Sequence, residues 1–471
     1  MYYSRATRLS ARRGSVTVKD FSAGINGRKD EENLSPGECV FSCNFNMNGG
    51  TLKDGIGVRG SDFGKSPRFA VTGVKPLKLY YYKKYDYDVK KYKEFLLIYA
   101  SDKEMYSASA DEETFSKVEG LFFAEPPYAV GYNYDSKDIM IFSAGESLKV
   151  YDGESVTAIT DVPSVTSMCI HSERLFVTEG GTKTSLWFSD DFNPLNWKVS
   201  LDDAGFIDIR EGAGSLIKAV SFKDYVYAFA NYGIIRVAAN GSQTDFSVDG
   251  IAASSGKICG DSIAVCGDRI IYLAEDGFYG FGGGAPYRLM GKLDEKLVGI
   301  NNSSAKGCYF NGKYYCKLIM QGDNGEHEVL VRYDIHRGAF TVSAGFNITD
   351  FIVTEGEDDC RLLFLIDGKS QPAMLSDRAE SFSVPLEKRW VSGKSDLGTT
   401  ELKRVTRLSL RTLTEICVTI KSDRGSLLLH FFGSKERQSR PVGLKGDLFT
   451  IEIECSTPGA AISALKIEYE Y

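Results

Sequence analysis

Residues 268–288 read DRIIYLAEDGFYGFGGGAPYR, and this stretch decides the fold. A β-branched and aromatic run leads into the turn pair Asp276-Gly277, and FYGF follows as a second run. This order predicts a strand, a tight turn and a second strand. The glycines at 280 and 282–284 could instead cradle a phosphate, but such a loop needs a helix N-terminus behind it. The residues that follow are too few and too β-prone to begin a helix, so we predict a hairpin and a loop.

The same pattern of short strands and turns recurs along the chain between about residues 92 and 377. Seven units begin near residues 94, 138, 174, 221, 268, 307 and 360, which gives steps of roughly 36 to 53 residues. That period is typical of propeller blades of about four strands. Asp152-Gly153, Asp276-Gly277 and Asp367-Gly368 are interpreted as equivalent turns. We predict a β-propeller of six to eight blades over residues 71–379. A stack of β-sandwich domains is the rival, and it fits the regular turns less well.

The two ends of the chain differ from the repeats. Residues 380–471 contain strictly alternating runs such as RVTRLSLRTL, FTIEIE and ALKIEYEY. Alternation places one face in a core and the other in water, so this region is predicted to be an antiparallel, jelly-roll-like β-sandwich. Residues 1–70 are assigned to a separate unit, an arm followed by a turn-rich docking segment. The fold class is therefore all-β.

Composition limits the partners. The 471 residues carry a net charge of −7, which excludes the global basic field of a protein that grips nucleic acid. No apolar run of about 18 residues is present, so no membrane-spanning segment is expected. The first 19 residues contain no acid but hold Arg5, Arg8, Arg12, Arg13 and Lys19. This arm is either solvated or docks on an acidic partner.

Catalytic signatures are missing from the sequence. The four histidines lie far apart without an HxH or HExxH motif, and we predict that they lie on the surface. The ten cysteines form no CxxC pair, which favours buried free thiols in a reducing compartment. We therefore predict no enzyme activity and no catalytic, cofactor-binding or metal-binding residues.

One segment keeps a glycan-related alternative open. SDDFNPLNW, residues 189–197, resembles the Asp box of sialidase propellers, although Asn193 stands in place of a glycine and Trp197 comes one residue late. In sialidases this box is a turn element. Asp191, Asn193 and Pro194 are also suited to a self-capping Asx turn, which needs no ligand.

Five segments together resemble a family, the β-propeller nozzle or tail-hub proteins of short-tailed bacteriophages, which include packaged-DNA stabilisation proteins. They run in the family's order across nearly the whole chain: DFSAGIN (20–26), LSPGECVFSCNFNM (34–47), WFSDDFNPLNW (187–197), LAEDGFYGF (273–281) and RWVSGKSDLG (389–398). The chain departs from the family at Asp54-Gly55, where an arginine is usual.

The resemblance implies a virion tail protein, made in the bacterial host cytoplasm. It would form a homo-oligomeric ring, commonly a hexamer, below the portal and adaptor proteins and next to tail fibre or needle proteins. The ring would retain packaged DNA and conduct it during ejection without sequence-specific binding. Contacts to neighbours would involve Arg5, Arg8, Arg12, Arg13, Phe21 and Trp390. The alternatives are a glycan-binding or glycoside-cleaving propeller and a scaffolding propeller of the cytosol.

Overall fold

A computed structural model of the chain describes residues 12–27, 30–145, 147–160, 162–180, 184–200, 204–209, 213–322, 325–356 and 359–471. Six short strands come first: β1 Arg13–Val18, β2 Gly24–Ile25, β3 Glu38–Cys43, β4 Phe45–Asn46, β5 Leu52–Asp54 and β6 Gly57–Gly60. The described residues also form four 3-10 helices, at Glu31–Asn33, Gln243–Asp245, Gly260–Ser262 and Gly291–Lys296.

Seven antiparallel sheets then follow in the described part of the chain, and we number them as blades 1 to 7. Blade 1 comprises β7 Pro76–Asp86, β8 Lys91–Ala100, β9 Glu104–Ser109 and β10 Ser116–Phe122. Blade 2 comprises β11 Tyr128–Tyr134, β12 Lys137–Ser143, β13 Leu148–Tyr151 and β14 Val156–Ile159. Blade 3 comprises β15 Val165–His171, β16 Arg174–Glu179, β17 Ser185–Phe188 and β18 Gly205–Asp208. Blade 4 comprises β19 Leu216–Phe222, β20 Tyr225–Ala230, β21 Gly233–Ala238 and β22 Ser247–Ala253. Blade 5 comprises β23 Ala264–Cys266, β24 Arg269–Ala274, β25 Gly277–Phe281 and β26 Tyr287–Leu289.

Blade 6 comprises β27 Lys306–Phe310, β28 Lys313–Gly322, β29 Gly325–Asp334 and β30 Ala339–Ser343. Blade 7 begins with β31 Ile348–Glu355, β32 Cys360–Ile366 and β33 Ala373–Ser376. Its fourth strand is β6, which comes from the start of the chain and pairs antiparallel with β33. The short strands β34 Glu380–Ser381 and β35 Val384–Pro385 extend this sheet beyond β6.

The blades close into a ring. The first strands β11, β15 and β19 contact one another in turn, as do β23, β27, β31 and β7. Contacts of β7 with β12, and of β19 with the 3-10 helix before β23, complete the circle. Each pair of neighbouring blades shares a hydrophobic cluster, because one blade alone cannot bury both faces of its sheet. The predicted all-β propeller with six to eight blades is confirmed.

The remaining strands form a β-sandwich. They are β36 Lys388–Ser392, β37 Lys403–Thr412, β38 Ile416–Ser422, β39 Gly425–Phe431, β40 Ser434–Gly446, β41 Phe449–Cys455 and β42 Ala461–Glu470. One sheet has the order β4-β5-β42-β37-β40, with β1 on β42, and the other has the order β2-β3-β36-β41-β38-β39. Their apolar faces pack together and are continuous with the core between blades 5 and 6.

The structure differs from the sequence-based division at residue 70. Strands β1 to β5 do not form a separate unit; they supply edge and outer strands to both sheets of the sandwich. The reason is that these strands are too short to bury a core alone, and each completes a sheet made of residues near the other end of the chain. The following strand, β6, belongs to the propeller, so strands β1 to β6 connect the two domains.

The predicted repeat begins one strand later than most blades of the structure. Most predicted units begin at a second strand, since residues 94, 138, 174, 268 and 360 fall in or next to β8, β12, β16, β24 and β32. The three turns are not all equivalent either. Asp152-Gly153 follows the third strand of its blade, whereas Asp276-Gly277 and Asp367-Gly368 follow the second. In the opening stretch, Ala274 pairs with Gly277, which confirms the predicted hairpin. The two turn residues are Glu275 and Asp276, one position earlier than the predicted pair Asp276-Gly277, because Gly277 already belongs to β25.

Candidate assembly surface

The outer face of one sandwich sheet is strongly basic. Cross-strand pairing places Lys445 beside Arg404, Arg404 beside Glu470, and Glu470 beside Arg13, in a row across β40, β37, β42 and β1. The side chains that alternate with them on these strands are apolar and point into the core. We call the outward set the basic face, and it comprises Arg13, Arg404, Arg407, Arg411, Arg437, Lys445 and Lys466 with the two carboxylates of Glu468 and Glu470.

The basic face has a large local excess of charge. Seven cations and two carboxylates give it +5, so the rest of the chain carries −12 within a total of −7. Glu468 lies 2.5 Å from the Lys466 ammonium and 4.0 Å from Arg407, and Lys466 and the nearby arginines hold the pKa of this carboxyl below its ordinary value. Arg404, Arg411 and Lys445 have no ion pair among the described residues. Arginines that have no carboxylate partner on the outer face of a sheet favour a multivalent acidic partner.

The predicted arm contacts lie partly on this face. Arg13 donates from Nε to Glu470 at 3.2 Å, and its side chain is 83% exposed. Arg12 is exposed, and its backbone exchanges two hydrogen bonds of 3.0 Å with Tyr471. Arg5 and Arg8 lie outside the described residues. Arg12 and Arg13 therefore lie at the edge of the basic face, where the chain joins the sheet.

Phe21 and Trp390 have a different place from the one that the resemblance implied. Both are fully buried, and their rings meet edge to face with centroids 5.2 Å apart. A neighbouring subunit cannot reach them, so their assignment as assembly contacts is corrected. They belong to the seam where the first and last segments of the chain meet, and they act on assembly only through the fold.

A second motif residue, Asn44, joins three segments at this seam. Its backbone is left-handed, with φ of 59°. Its side-chain oxygen accepts from the Ala344 amide at 2.9 Å, and its amide group donates to the Glu387 carbonyl at 2.8 Å. Gly55 donates to the Asn44 carbonyl at 2.7 Å, and a Cβ at that glycine would lie 2.6 Å from the same oxygen. Asn44 therefore links the N-terminal strands to the segment just before blade 7 and to the segment just after it.

The segment that resembles the Asp box forms a closed turn between β17 and β18. Asn193 accepts from the Leu195 amide at 3.2 Å, which is the predicted Asx turn. The Trp197 indole is buried and donates to the Pro194 carbonyl at 3.0 Å. Asp191 lies beside Phe192, which is 67% exposed at the tip. Because the indole is turned inward, it offers no stacking surface to a sugar.

The turn at Asp276 is held by a polar network. Its carboxylate accepts from the Tyr279 hydroxyl at 2.6 Å and from Arg288 at 2.6 Å. Arg288 also pairs with Asp294 at 2.5 Å. Gly277 has φ of 136°, a conformation that favours glycine. The turn is thus fixed by blade 5 itself.

Sequence reasoning missed most of the basic face, although one signal was present. In RVTRLSLRT the three arginines are exposed, and a bulge after Val405 brings Arg404 to the same face as Arg407. Arg13, Arg437 and Lys445 join them only through strand pairing. The prediction of surface histidines is also corrected for His171. This residue is buried, its ring lies 3.0 Å from Ser221 Oγ and 3.1 Å from Asn240 Oδ1, and burial lowers its pKa.

No group of three or more His, Cys, Asp or Glu side chains in the described part of the chain is arranged to hold a metal ion. None of the helices described there combines the length and apolar character needed to cross a bilayer. The ten cysteines are free, and six of them are buried.

Comparisons with known proteins add a distant structural likeness. No protein-family model matches the sequence, and no curated protein matches it. A crystal structure of BBS1N in complex with ARL6DN, soaked with lead, has a TM-score of 0.41 and 10% identity, and covers 60% of this chain and 88% of that chain. The same complex soaked with mercury has a TM-score of 0.40 and 11% identity, and covers 60% and 86%. Likeness at this level carries no inference about partners.

Proposed function

We propose that this chain is a structural protein of a phage virion that forms the nozzle or hub ring of a short tail, below the portal and adaptor. The ring retains packaged DNA and conducts it during ejection. One observation carries the proposal. Three of the five resembling segments come from the two ends of the chain, and they lie side by side as β2, β3 and β36 of one sheet.

That adjacency supports the resemblance because β36 lies more than 340 residues beyond β2 and β3 in sequence yet pairs directly with β3. Ser42 pairs with Trp390, and Cys43 pairs with Arg389. Residues that share a sheet are constrained together, whereas independent chance matches would be scattered over the surface. The segments therefore describe one structural element, the joint between propeller and sandwich.

The basic face supplies a means of assembly for this function. A ring subunit needs two complementary surfaces, one that docks and one that receives. The basic face carries +5 and the remainder of the chain −12, so the face of one copy is attracted to the acidic surface of the next or to an adaptor. The acidic remainder would repel a phosphate backbone, which lets DNA slide past without being held.

Assembly of the full chain tests the proposal. Mass photometry and negative-stain electron microscopy should show rings, either of the chain alone or after mixing with a portal–adaptor complex. A triple variant, R404E/R407E/R411E, should abolish the rings. Its control, K65E/K91E/R337E, makes the same change at exposed residues away from the face and should leave them intact. A chain that stays monomeric with and without the portal–adaptor complex contradicts the proposal, as does cleavage of a glycan.

A further inference from the structure

The start of the innermost strands carries a ring of polar side chains around the propeller axis. One residue comes from near the start of the first strand in each of six blades: Lys78, Tyr128, Ser167, Lys218, Lys306 and Asp350. Tyr128 and Lys306 are the first residues of their strands, and the other four are the third. In four of these strands the pairing with the second strand shifts by one residue just before that position, at 76/78, 165/167, 216/218 and 348/350. The repeated bulge shows that these four positions are structurally equivalent.

Two members of the ring lock neighbouring blades together. The Asp350 carboxylate of blade 7 accepts from the Leu79 amide of blade 1 at 2.8 Å. The Ser167 hydroxyl of blade 3 accepts from the Ala219 amide of blade 4 at 2.9 Å. Leu79 and Ala219 directly follow Lys78 and Lys218 in sequence. The locks therefore fix the backbone from which these two lysines project.

Each of the three lysines donates one hydrogen bond across a blade boundary. Lys78 donates to the Pro127 carbonyl at 2.9 Å, and Lys218 donates to the Ile263 carbonyl at 3.1 Å. Lys306 lies 2.5 Å from Asp350 Oδ1. An ammonium has three N–H donors, so each retains donors beyond the bond described here. The three side chains are partly exposed.

The three lysines lie on the innermost strands of blades 1, 4 and 6, which line the propeller axis. Burial lowers the pKa of Lys78, and the ammonium groups of Lys306 and Lys218 lower it further, whereas the carboxylates of Asp261 and Asp350 raise it. Burial likewise lowers the pKa of Lys218, with Lys306 again contributing. The carboxylates that act on these lysines are Asp350 and the exposed Asp261, so the hub carries three cations and two carboxylates.

We propose that the hub of the propeller is an anion-binding site, in which Lys78, Lys218 and Lys306 bind a polyvalent oxyanion of the phosphate class. Ammonium groups from three blades surround such an anion and share its charge, which relieves their mutual repulsion. The anion can be free phosphate or a phosphate of a nucleic acid that reaches the axis. The inference stands independently of the proposed role in a virion.

Titration of the full chain with inorganic phosphate, by isothermal calorimetry at low ionic strength, tests the site. We expect saturable binding that weakens at least tenfold in K78M and in K218M, which keep the aliphatic stem but remove the charge. The matched control is K91M, on an exposed outer hairpin, which should bind like the wild type. Absence of saturable binding by the wild type, or equal affinity of the wild type and both hub variants, overturns the proposal.

Two further measurements keep the test decisive if a hub variant fails to fold. The melting temperature of the wild type should rise more in phosphate than in chloride of equal ionic strength, and equal melting temperatures count against the site. A short blunt DNA duplex then distinguishes the two sources of the anion, free phosphate and a phosphate of a nucleic acid. Competition between duplex and phosphate identifies a nucleic-acid phosphate, whereas phosphate binding that the duplex leaves unchanged identifies a free anion.

Discussion

The ammonium of Lys388 lies 3.4 Å from Oδ1 of Asp54, and both groups are buried at the seam between the two chain ends. Asp54 also accepts from the amides of Gly459 at 2.6 Å and Ala460 at 3.1 Å. One carboxylate therefore connects the N-terminal strands, β36 and the loop before β42. This is the position where the resembling family usually has an arginine, so the departure has its own structural role.

Removal of the carboxylate should destabilise the fold strongly. Asp54→Ala leaves a buried ammonium without its partner and two amides without an acceptor, which costs roughly 3–5 kcal/mol of the free energy of unfolding. Asp54→Asn keeps an acceptor and should cost less. Urea denaturation followed by tryptophan fluorescence measures both. A loss below about 1 kcal/mol for Asp54→Ala would show that the pair is not a constraint on the seam.

The lock between blades 3 and 4 should depend on one hydroxyl. Ser167→Ala removes the acceptor of the buried Ala219 amide, and an unsatisfied buried donor costs roughly 1–3 kcal/mol. Ser426→Ala, at an exposed position of β39, makes the same change without a buried partner and should alter stability by less than about 0.5 kcal/mol. Equal unfolding midpoints for the two variants would contradict the lock.

Acid should weaken the joint between the sandwich and blade 5 through Glu38. Burial raises the pKa of this carboxyl, but hydrogen bonds from the Ser35 amide, Asn26 and Lys292 outweigh it and lower the pKa to about 2 from 4.5. The folded pKa is below the unfolded one, so this stabilisation is full above pH 4.5 and is lost as the pH falls toward 2. Its size is roughly 3 kcal/mol.

Glu38→Gln should reduce the slope of unfolding free energy against pH between pH 4.5 and 2. The control is Glu119→Gln on the exposed surface, which should keep the wild-type slope. Chemical denaturation at a series of pH values measures both. The same slope in the wild type and Glu38→Gln would remove Glu38 from the acid response.

Alkali should also destabilise the protein, through buried thiols. Burial raises the pKa of Cys43, Cys266 and Cys316 to about 12 from 9.0. Because the folded pKa is above the unfolded one, the stabilisation is full below pH 9.0 and is lost as the pH rises toward 12. Urea midpoints between pH 8 and 11 should therefore fall. Cys266→Ala should make the fall less steep, whereas Cys360→Ser, at an exposed position, should not.

The corrected role of Phe21 has its own test. Phe21→Ala opens a cavity beside Trp390 and should cost roughly 3–5 kcal/mol of stability. Phe21→Leu, which retains most of the volume, should cost less and leave any oligomer unchanged. A Phe21→Leu variant with normal stability but no assembly would restore Phe21 as a contact residue.

The propeller could be predicted because its second and third strands are apolar and regular. LLIYA in β8 and RIIYLA in β24 are buried almost throughout, so their composition alone marks them. The innermost strands carry polar residues, as in YAVGYNY of β11, four of them contain a bulge near their start, and they lack a clear period. The repeat was therefore detected with the right number of units but in a shifted frame.

The sandwich was predicted only in part, for a physical reason. Alternation within residues 403–470 indicates two-faced strands, but nothing local indicates that β1 pairs with β42 or that β3 pairs with β36. Pairing over such distances depends on complementary shapes of the whole fold. The basic face was missed for the same reason, since Arg13, Arg404 and Lys445 become neighbours only through it.

The pairing of β1 with β42 also has a consequence for biosynthesis. Arg13 and Glu470 are 457 residues apart, so β1 has no partner until β42 has been translated. Strand β6 likewise lacks its partner β33 until most of the propeller has been translated. Closure of both domains therefore comes after synthesis of the strands that lie between these partners.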